Sequence, residues 1–326
     1  MKIAIDELRD KILTTLKARY SDAESAQIAD ILLYAESSGI KPMGIVKMVG
    51  TEPIQDMVAE HEPKIERETK LSQLINAGGN AAPVVCHQAV ETAIKKAKEH
   101  GMAIVGVNNT HSSNLTQAYY VEKIAKNDLI GISMASAPAS STGFDSIDPI
   151  FGTNPIGFSF PTNDKPLVFD MTTAAMAWSG LVLASAHGEK IPENIAIDSR
   201  GNPTLDPNEA MEGATLPFDH GYKGSGLGLI VETLAGPLVN AAYVDTSLDS
   251  PYGSLFIAID PNILVDIEEF KKHASDLLSK VKATRKKPGA SEIRLPGERA
   301  QGAREQALAS GEIDVDEAIL KQLGYI

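Results

Sequence analysis

Cysteine is almost absent from this chain, and much is excluded by that alone. The single Cys86 permits no internal disulfide and no metal site built from cysteines. In "PVVCHQAV" it stands among valines and reads as a buried structural thiol, not a nucleophile. Positive charge is also short: 30 Lys and Arg face 43 Asp and Glu, a formal charge of −13 that leaves no basic face for general nucleic-acid binding. The run "KATRKKPG" (282–289) is locally basic but brief, and reads as a solvated helix end or loop. Long apolar runs are missing, because charges interrupt every stretch before the roughly 18 residues that span a bilayer. The opening "MKIAIDELRDK" mixes acids and bases unlike a secretory signal, so the expected location is the cytoplasm. A dinucleotide fingerprint is missing as well. The nearest candidate, "KGSGLGLIVETLAG", places glycines at 224, 226 and 228 with no acid-ended strand after them.

What is present is a pattern of two kinds of segment. With 326 residues, 43% of them apolar, the chain can bury a large core as one large or two moderate domains. Residues 3–35 carry Ile5, Leu8, Ile12 and Leu16, then Ala26, Ile28, Ile31 and Leu32, at helical spacing. Near residue 80 the pattern changes. "VCHQAVETAIKKAKEHG" reads as a helix stopped by Gly101 and "MAIVGV" as a buried strand; "QAYYVEKIAKN" then leads to strand "LIGISMAS", with further strands at "IGFSFP", "PLVFDM" and "SLFIAI". Such alternation predicts an α/β layer with the sheet covered on both faces. Helical patterning returns at 266 in "IEEFKKHASDLLSKVKA", followed by a tail punctuated by Pro and Gly and a last helix near 313–323. The expected layout is a helical lobe from 1–75 with 266–326, and an α/β cofactor- and substrate-binding domain over 76–265.

Several stretches carry chemistry. "PLVFDMTTAAMAWSGLVLASAHG" runs from a strand through Asp170, Met171, Thr172 and Thr173 into a helix stopped by Gly188; a cap at Thr172 or Thr173 would aim free N–H groups and the positive helix end at a pyrophosphate. "HGYKGSG" places Lys223 and Gly224 at another helix start, a second anion site. "VGVNNTHSSN" leaves a strand and centres on His111, among Asn and Ser side chains suited to orient a general acid or base. Of the seven histidines only His220, in "PFDHGYKG", rivals it near a candidate ligand loop.

Taken in order, "FGTNPIGFSFPTNDKPLVFDMTTAAMAWSG", "GEKIPENIAIDSRGNPTLDP", "YKGSGLGLIVETLAGPLVNAA" and "RLPGERA" resemble the malate/L-lactate dehydrogenase family of NAD(P)-dependent oxidoreductases, over nearly the whole chain. That group includes sulfolactate and ureidoglycolate dehydrogenases, diketogulonate reductase and the piperideine/pyrroline-2-carboxylate reductases. The resemblance implies a non-Rossmann α/β fold, here a central mixed sheet covered by helices with a helical lobe from the N- and C-terminal segments. It implies NAD or NADP as cofactor, a small-molecule substrate and a homodimer. By resemblance, Asp170, Met171, Thr172 and Thr173 contact the cofactor, as do Lys223 and Gly224, and Gly297 and Glu298 of "PGE". His111 resembles the histidine of the family loop "N-S-x-H-F-G", a proton acceptor, although the tyrosine pair that follows stands about two residues later here.

The largest departure lies in "GIKPMGIVK" (39–47). The family pattern "G-x-x-S-H-G-x-x-R", aligned on Gly39 and Gly44, puts Pro42 for the serine, Met43 for the histidine and Lys47 for the arginine that grips a carboxylate. The family's "P-x-G-G" loop is likewise replaced by "STGFDS" (141–146). Lys47 can still pair a carboxylate as a point charge, and Met43 presents a flexible apolar wall. The expected function is therefore hydride transfer between nicotinamide and a small 2-hydroxy/2-oxo acid or cyclic imino acid, with a specificity altered from malate and lactate. A catalytically inactive cofactor-binding homologue is the alternative.

Overall fold

The computed structural model describes residues 1–49, 53–57, 59–245 and 251–326. The first half runs β1 (Lys2–Ala4), α1 (Ile5–Leu16), α2 (Asp22–Ser37), three short 3-10 turns (Lys41–Met43, Ile45–Met48, Ile54–Asp56), β2 (Lys64–Glu68), β3 (Ser72–Asn76), α3 (Ala82–His100), β4 (Met102–Thr110), α4 (Gln117–Ala125) and β5 (Ile130–Ala135). The second half adds β6 (Ser141–Thr142), β7 (Pro149–Phe151), β8 (Ile156–Phe160), β9 (Leu167–Met171), α5 (Trp178–His187), β10 (Ala196–Ile197), β11 (Pro203–Thr204), α6 (Pro207–Glu212), β12 (Ala214–Thr215), α7 (Tyr222–Ala235), β13 (Tyr252–Ile259), α8 (Ile267–Lys282), α9 (Glu298–Ser310), β14 (Glu312–Asp314) and α10 (Glu317–Gln322).

Seven strands make the central sheet, in the order β2-β3-β4-β13-β5-β8-β9. β3 and β4 run parallel and every other neighbouring pair is antiparallel, so the sheet is mixed. Apolar side chains of β4 and β13 (Val105, Val107, Phe256, Ala258) meet the small-residue face of α3 (Ala89, Ala93, Ala97) in the main core. On the other face Val231 and Ala235 of α7 pack on Met134 and Ile156. Both faces are thus covered, which is why these strands read as near-continuous apolar runs. A five-stranded sheet, β11-β10-β12-β6-β7, lies beside it, and β1 pairs with β14. That last pairing joins the two chain ends: Leu8, Ile12, Leu16, Ile313, Val315 and Leu320 share one core with α3.

Two local expectations change. Residues 64–75, assigned to the helical lobe, form β2 and all but the last residue of β3 in the central sheet. All five residues of β2 are exposed, so its polar letters carry no apolar alternation to reveal it. The punctuated tail holds a 13-residue helix, α9, with no buried residue and therefore no apolar stripe to betray it. The second helix is capped by Ser21, in a capping box with Glu24, and Asp22 is its first residue. Among the described residues no helix is long and apolar enough to cross a membrane.

Candidate active site

One large cleft, of about 1000 Å³, opens between the loop after α2, the exit of β4, the end of β9, the start of α5 and the segment entering α9. It sits at the upper end of the range of small-molecule and cofactor sites. Each wall is fixed by a specific device.

The loop after α2 is held by a buried acid. The Glu36 carboxylate is only 3% exposed, pairs with Lys41 at 2.8 Å and accepts the Ile45 N–H at 3.1 Å. Burial pushes its pKa up, while Lys41 pulls the other way. Lys41 also donates to the Asp314 carbonyl, tying the loop to β14. A Cβ on Gly44 would lie 1.8 Å from Glu36 Oε2, so any side chain there would have to displace this carboxylate from its hydrogen bonds. Pinned in this way, Met43, Val46 and Lys47 line the cleft.

Asp170, Met171 and Thr172 line the opposite wall at the end of β9. Asp170 accepts the Thr116 hydroxyl at 2.7 Å and the Ala118 N–H at 2.9 Å, which places a carboxylate on the N-terminus of α4. Burial raises its pKa against those hydrogen bonds. The capping expectation for Thr172 and Thr173 is corrected here: α5 begins at Trp178 with Ala177 as its N-cap, and the Thr172 hydroxyl instead donates to the Thr153 carbonyl at 2.5 Å and accepts the Ala174 N–H. Hydroxyls that follow a strand this closely can satisfy a turn before any helix starts. Gly188 does end α5, with φ 65°.

At the third wall Gly297 (φ 81°) precedes α9, and a Cβ there would sit 2.4 Å from the Val168 carbonyl. The glycine therefore seats the α9 segment directly on β9. Glu298 accepts the Leu295 N–H at 2.9 Å and pairs with Lys282, whose ammonium holds its carboxyl low. Its side chain thus fixes the turn, while Gly297, Arg299 and Gln301 line the cleft.

α9 is further anchored by Arg304. Its guanidinium forks the Glu122 carboxylate at 2.8 and 2.6 Å and lies 4.3 Å from the Tyr34 ring centroid, while the Tyr34 hydroxyl donates to Glu122 at 2.5 Å. Burial alone would raise the Glu122 pKa, but the hydrogen bonds from Arg304, Lys126 and Tyr34 outweigh it and bring it to about 2. This network joins α2, α4 and α9, and Tyr34 itself lines the cleft.

The cleft therefore gathers Met43, Lys47, Asp170, Met171, Thr172 and Gly297 of the expected site residues. His111, Thr173, Lys223, Gly224 and Glu298 are not part of its wall. His111 directly follows β4, and the next five residues, Ser112 to Thr116, belong to the wall; Ser112 caps α3 through the Ala82 N–H at 2.8 Å. None of the seven histidines lines the cleft, and only His111 adjoins a wall segment in sequence. Lys223 and Gly224 fall in the first turn of α7, where Asp219 Oδ1 accepts the Gly221 and Gly224 N–H groups at 3.0 and 2.9 Å. The chain's own carboxylate thus fills that helix end. The turn leading to them is bound to the cleft edge by the Phe218 N–H on the Thr173 carbonyl. Sequence reasoning missed Tyr34, Trp178, Met211, Arg294 and Arg299 in the wall. Their residue types carry no spacing signal, although Arg294 and Arg299 bracket the "PGE" stretch.

The cleft is large enough for a cofactor and a small substrate together, on a fold without the dinucleotide fingerprint, and the comparisons supply the class of protein. The model of the malate/L-lactate dehydrogenase family matches residues 3–324. The chain is 36% identical over 337 residues to the malate/(S)-sulfolactate dehydrogenase of Methanothermus fervidus, covering 100% of this chain and 97% of that protein. It is 31% identical over 339 residues to a delta(1)-pyrroline-2-carboxylate/delta(1)-piperideine-2-carboxylate reductase of Pseudomonas aeruginosa, covering 99% and 98%. The solved sulfolactate dehydrogenase from Methanocaldococcus jannaschii superposes with a TM-score of 0.85 at 29% identity, over 99% of this chain and 95% of that one. The chain belongs to the malate/L-lactate dehydrogenase family and is an oxidoreductase that works with a nicotinamide cofactor.

Proposed function

We propose that the cleft holds NAD or NADP beside a small 2-hydroxy/2-oxo acid or cyclic imino acid and supports hydride transfer between them. The observation that carries this reading is the meeting, in one cleft, of Asp170, Met171, Thr172 and Gly297 with the Met43–Lys47 loop. The residues fit the cofactor: the volume suffices, Arg294 and Arg299 put two guanidinium groups on the α9 wall for phosphates, and Arg299 pairs with no acid among the described residues. When bound, the dihydronicotinamide supplies the hydride. With one proton it converts C=O to CH–OH, or C=N to CH–NH.

The chain's own part is binding, orientation and proton handling. Lys47 is the cation on the substrate-side loop and offers a point charge to the carboxylate. His111, at the strand end next to the wall, is our candidate to give or take the proton, and Thr172 and Asp170 shape the cofactor side. Lys223 and Gly224, at the start of α7, are assigned to the cofactor by resemblance to the family's Lys-Gly pair. We place the enzyme in the cytoplasm, where the unpaired Cys86 stays reduced. We assign it a homodimer through α7 and the turn after it, where Tyr222, Leu229, Ile230, Leu238 and Tyr243 are each more than half exposed.

The test is consumption of NADH and NADPH with a panel of 2-oxo acids and cyclic imines, on the wild type and on His111→Ala. Turnover that falls about 10²-fold or more in the variant supports the reading. Cofactor binding without any reduction favours the inactive binding protein, and full turnover by His111→Ala removes His111 from the mechanism.

A further inference from the structure

Resting on that reading of the cleft, we propose that its Met43 end receives a hydrocarbon group, so that the substrate is a 2-oxo or 2-hydroxy acid with an apolar side chain and not a dicarboxylate or a sulfonate. The group is open-chain, or closed onto an imine nitrogen.

Four side chains build this end. Met43 lies in the 3-10 turn Lys41–Met43, against which α5 packs. Trp178 opens α5 and Val182 stands four residues on, so both belong to one helix face and both line the cleft. Met211, in α6, completes the wall, and α6 packs on α5. Trp178 and Met211 rest against the buried cluster of Leu181, Ala184, Ile191, Ala196 and Ala210, which makes them a backed wall and not loose surface side chains.

None of these four groups can donate a hydrogen bond to an anion except the Trp178 indole N–H. Beside them, the Ser179 hydroxyl and the uncapped first turn of α5 are the donors at this end, fewer than the waters a second carboxylate or a sulfonate would lose on entering it. The residue beside Met211 deepens the selection, because Glu212 also borders the cleft and repels a second negative charge. Of the two lysines on the loop that holds Met43, Lys41 pairs with Glu36, and Lys47, which lines the cleft, is the one assigned to the substrate's 1-carboxylate. Hydrocarbon, in contrast, gains from leaving water against two thioethers, an indole and a valine. Each methylene that fits such a wall raises specificity by about tenfold or more.

The experiment uses the full-length enzyme with two readouts. The first is kcat/KM for pyruvate, 2-oxobutanoate, 2-oxopentanoate, oxaloacetate and sulfopyruvate with reduced cofactor. The second is calorimetric binding of 2-oxopentanoate and oxaloacetate to the protein saturated with oxidised cofactor, which needs no turnover. The expected results are a rise of about tenfold per methylene along the first three acids, and both binding and kcat/KM for oxaloacetate and sulfopyruvate about 100-fold below 2-oxopentanoate. Met211→Arg should reverse the order by weakening 2-oxopentanoate and strengthening oxaloacetate. Binding that prefers 2-oxopentanoate without any reduction upholds the apolar end and overturns hydride transfer. Oxaloacetate bound as tightly as 2-oxopentanoate, or neither acid bound, overturns the apolar end whatever the turnover.

Discussion

Replacing Arg304 by methionine removes the guanidinium fork from Glu122 and leaves a carboxylate that is only 4% exposed. Breaking a buried pair by deleting one partner costs about 3–5 kcal/mol, because the remaining charge keeps its desolvation penalty. Two partners survive here, Lys126 at 2.8 Å and the Tyr34 hydroxyl at 2.5 Å, which puts the cost near the lower limit, about 3 kcal/mol. For a chain of this size that corresponds to a fall in Tm of roughly 4–5 °C. The pH dependence has a definite sign. Glu122 has a folded pKa of about 2 against an ordinary 4.5, so its contribution is complete above pH 4.5 and disappears as pH falls towards 2. The gap in stability between wild type and Arg304→Met therefore narrows in acid. Urea unfolding of both single variants (Arg304→Met and Glu122→Gln) and of the double variant completes the cycle. The double variant should be more stable than Arg304→Met alone, since it no longer buries an unpaired charge. A loss below about 1 kcal/mol in Arg304→Met, or a double variant as unstable as the sum of the singles, would refute the argument.

Other perturbations follow from the same geometry. Gly44→Ala forces a Cβ against the Glu36 carboxylate and should destabilise the protein by about 2 kcal/mol or more, with a raised KM for the 2-oxo acid; normal values on both counts would show that the loop can rearrange. Gly297→Ala meets both a positive φ and the Val168 carbonyl, so α9 should lift from β9 and cofactor affinity, read by fluorescence titration, should fall about tenfold or more. Asp170→Asn keeps the shape but removes the charge from the N-terminus of α4. Because burial of the charge is already unfavourable and both hydrogen bonds fall on one oxygen that Asn can supply, thermal unfolding near neutral pH should be unchanged or slightly later; a loss above about 1 kcal/mol would show that the charge at the α4 N-terminus outweighs its burial.

The parts of the fold that bury apolar groups at regular spacing were legible in the sequence. α3, α4 and the strands β4, β5, β8, β9 and β13 stand where the periodicity put them, because each alternates or runs apolar against a buried cluster; α8 also stands where expected, on its helical patterning alone, since it buries no residue. β2 and α9 were not, since neither buries a residue; in the sheet β2 is paired only with the adjacent β3, and α9 is held by partners distant in sequence. The cleft was partly legible. Asp170 to Thr172 and Gly297 came from motif resemblance, and Met43 and Lys47 from the departure against it. Glu36 as the anchor of the loop, Tyr34 with Arg304, and the Trp178–Met211 wall depend on contacts between segments that no local spacing records. The cap expected at Thr172 or Thr173 failed because a hydroxyl on a turn competes with helix initiation, and Ala177 marks the true start.

The most direct measurement is a crystal structure of the enzyme with NADH or NADPH bound. The account predicts the nicotinamide ring inside the cleft, between the Asp170–Thr172 wall and the Met43–Lys47 loop, with the phosphates towards Arg294, Arg299 and the start of α9. A nicotinamide ring lodged anywhere outside this cleft would contradict it.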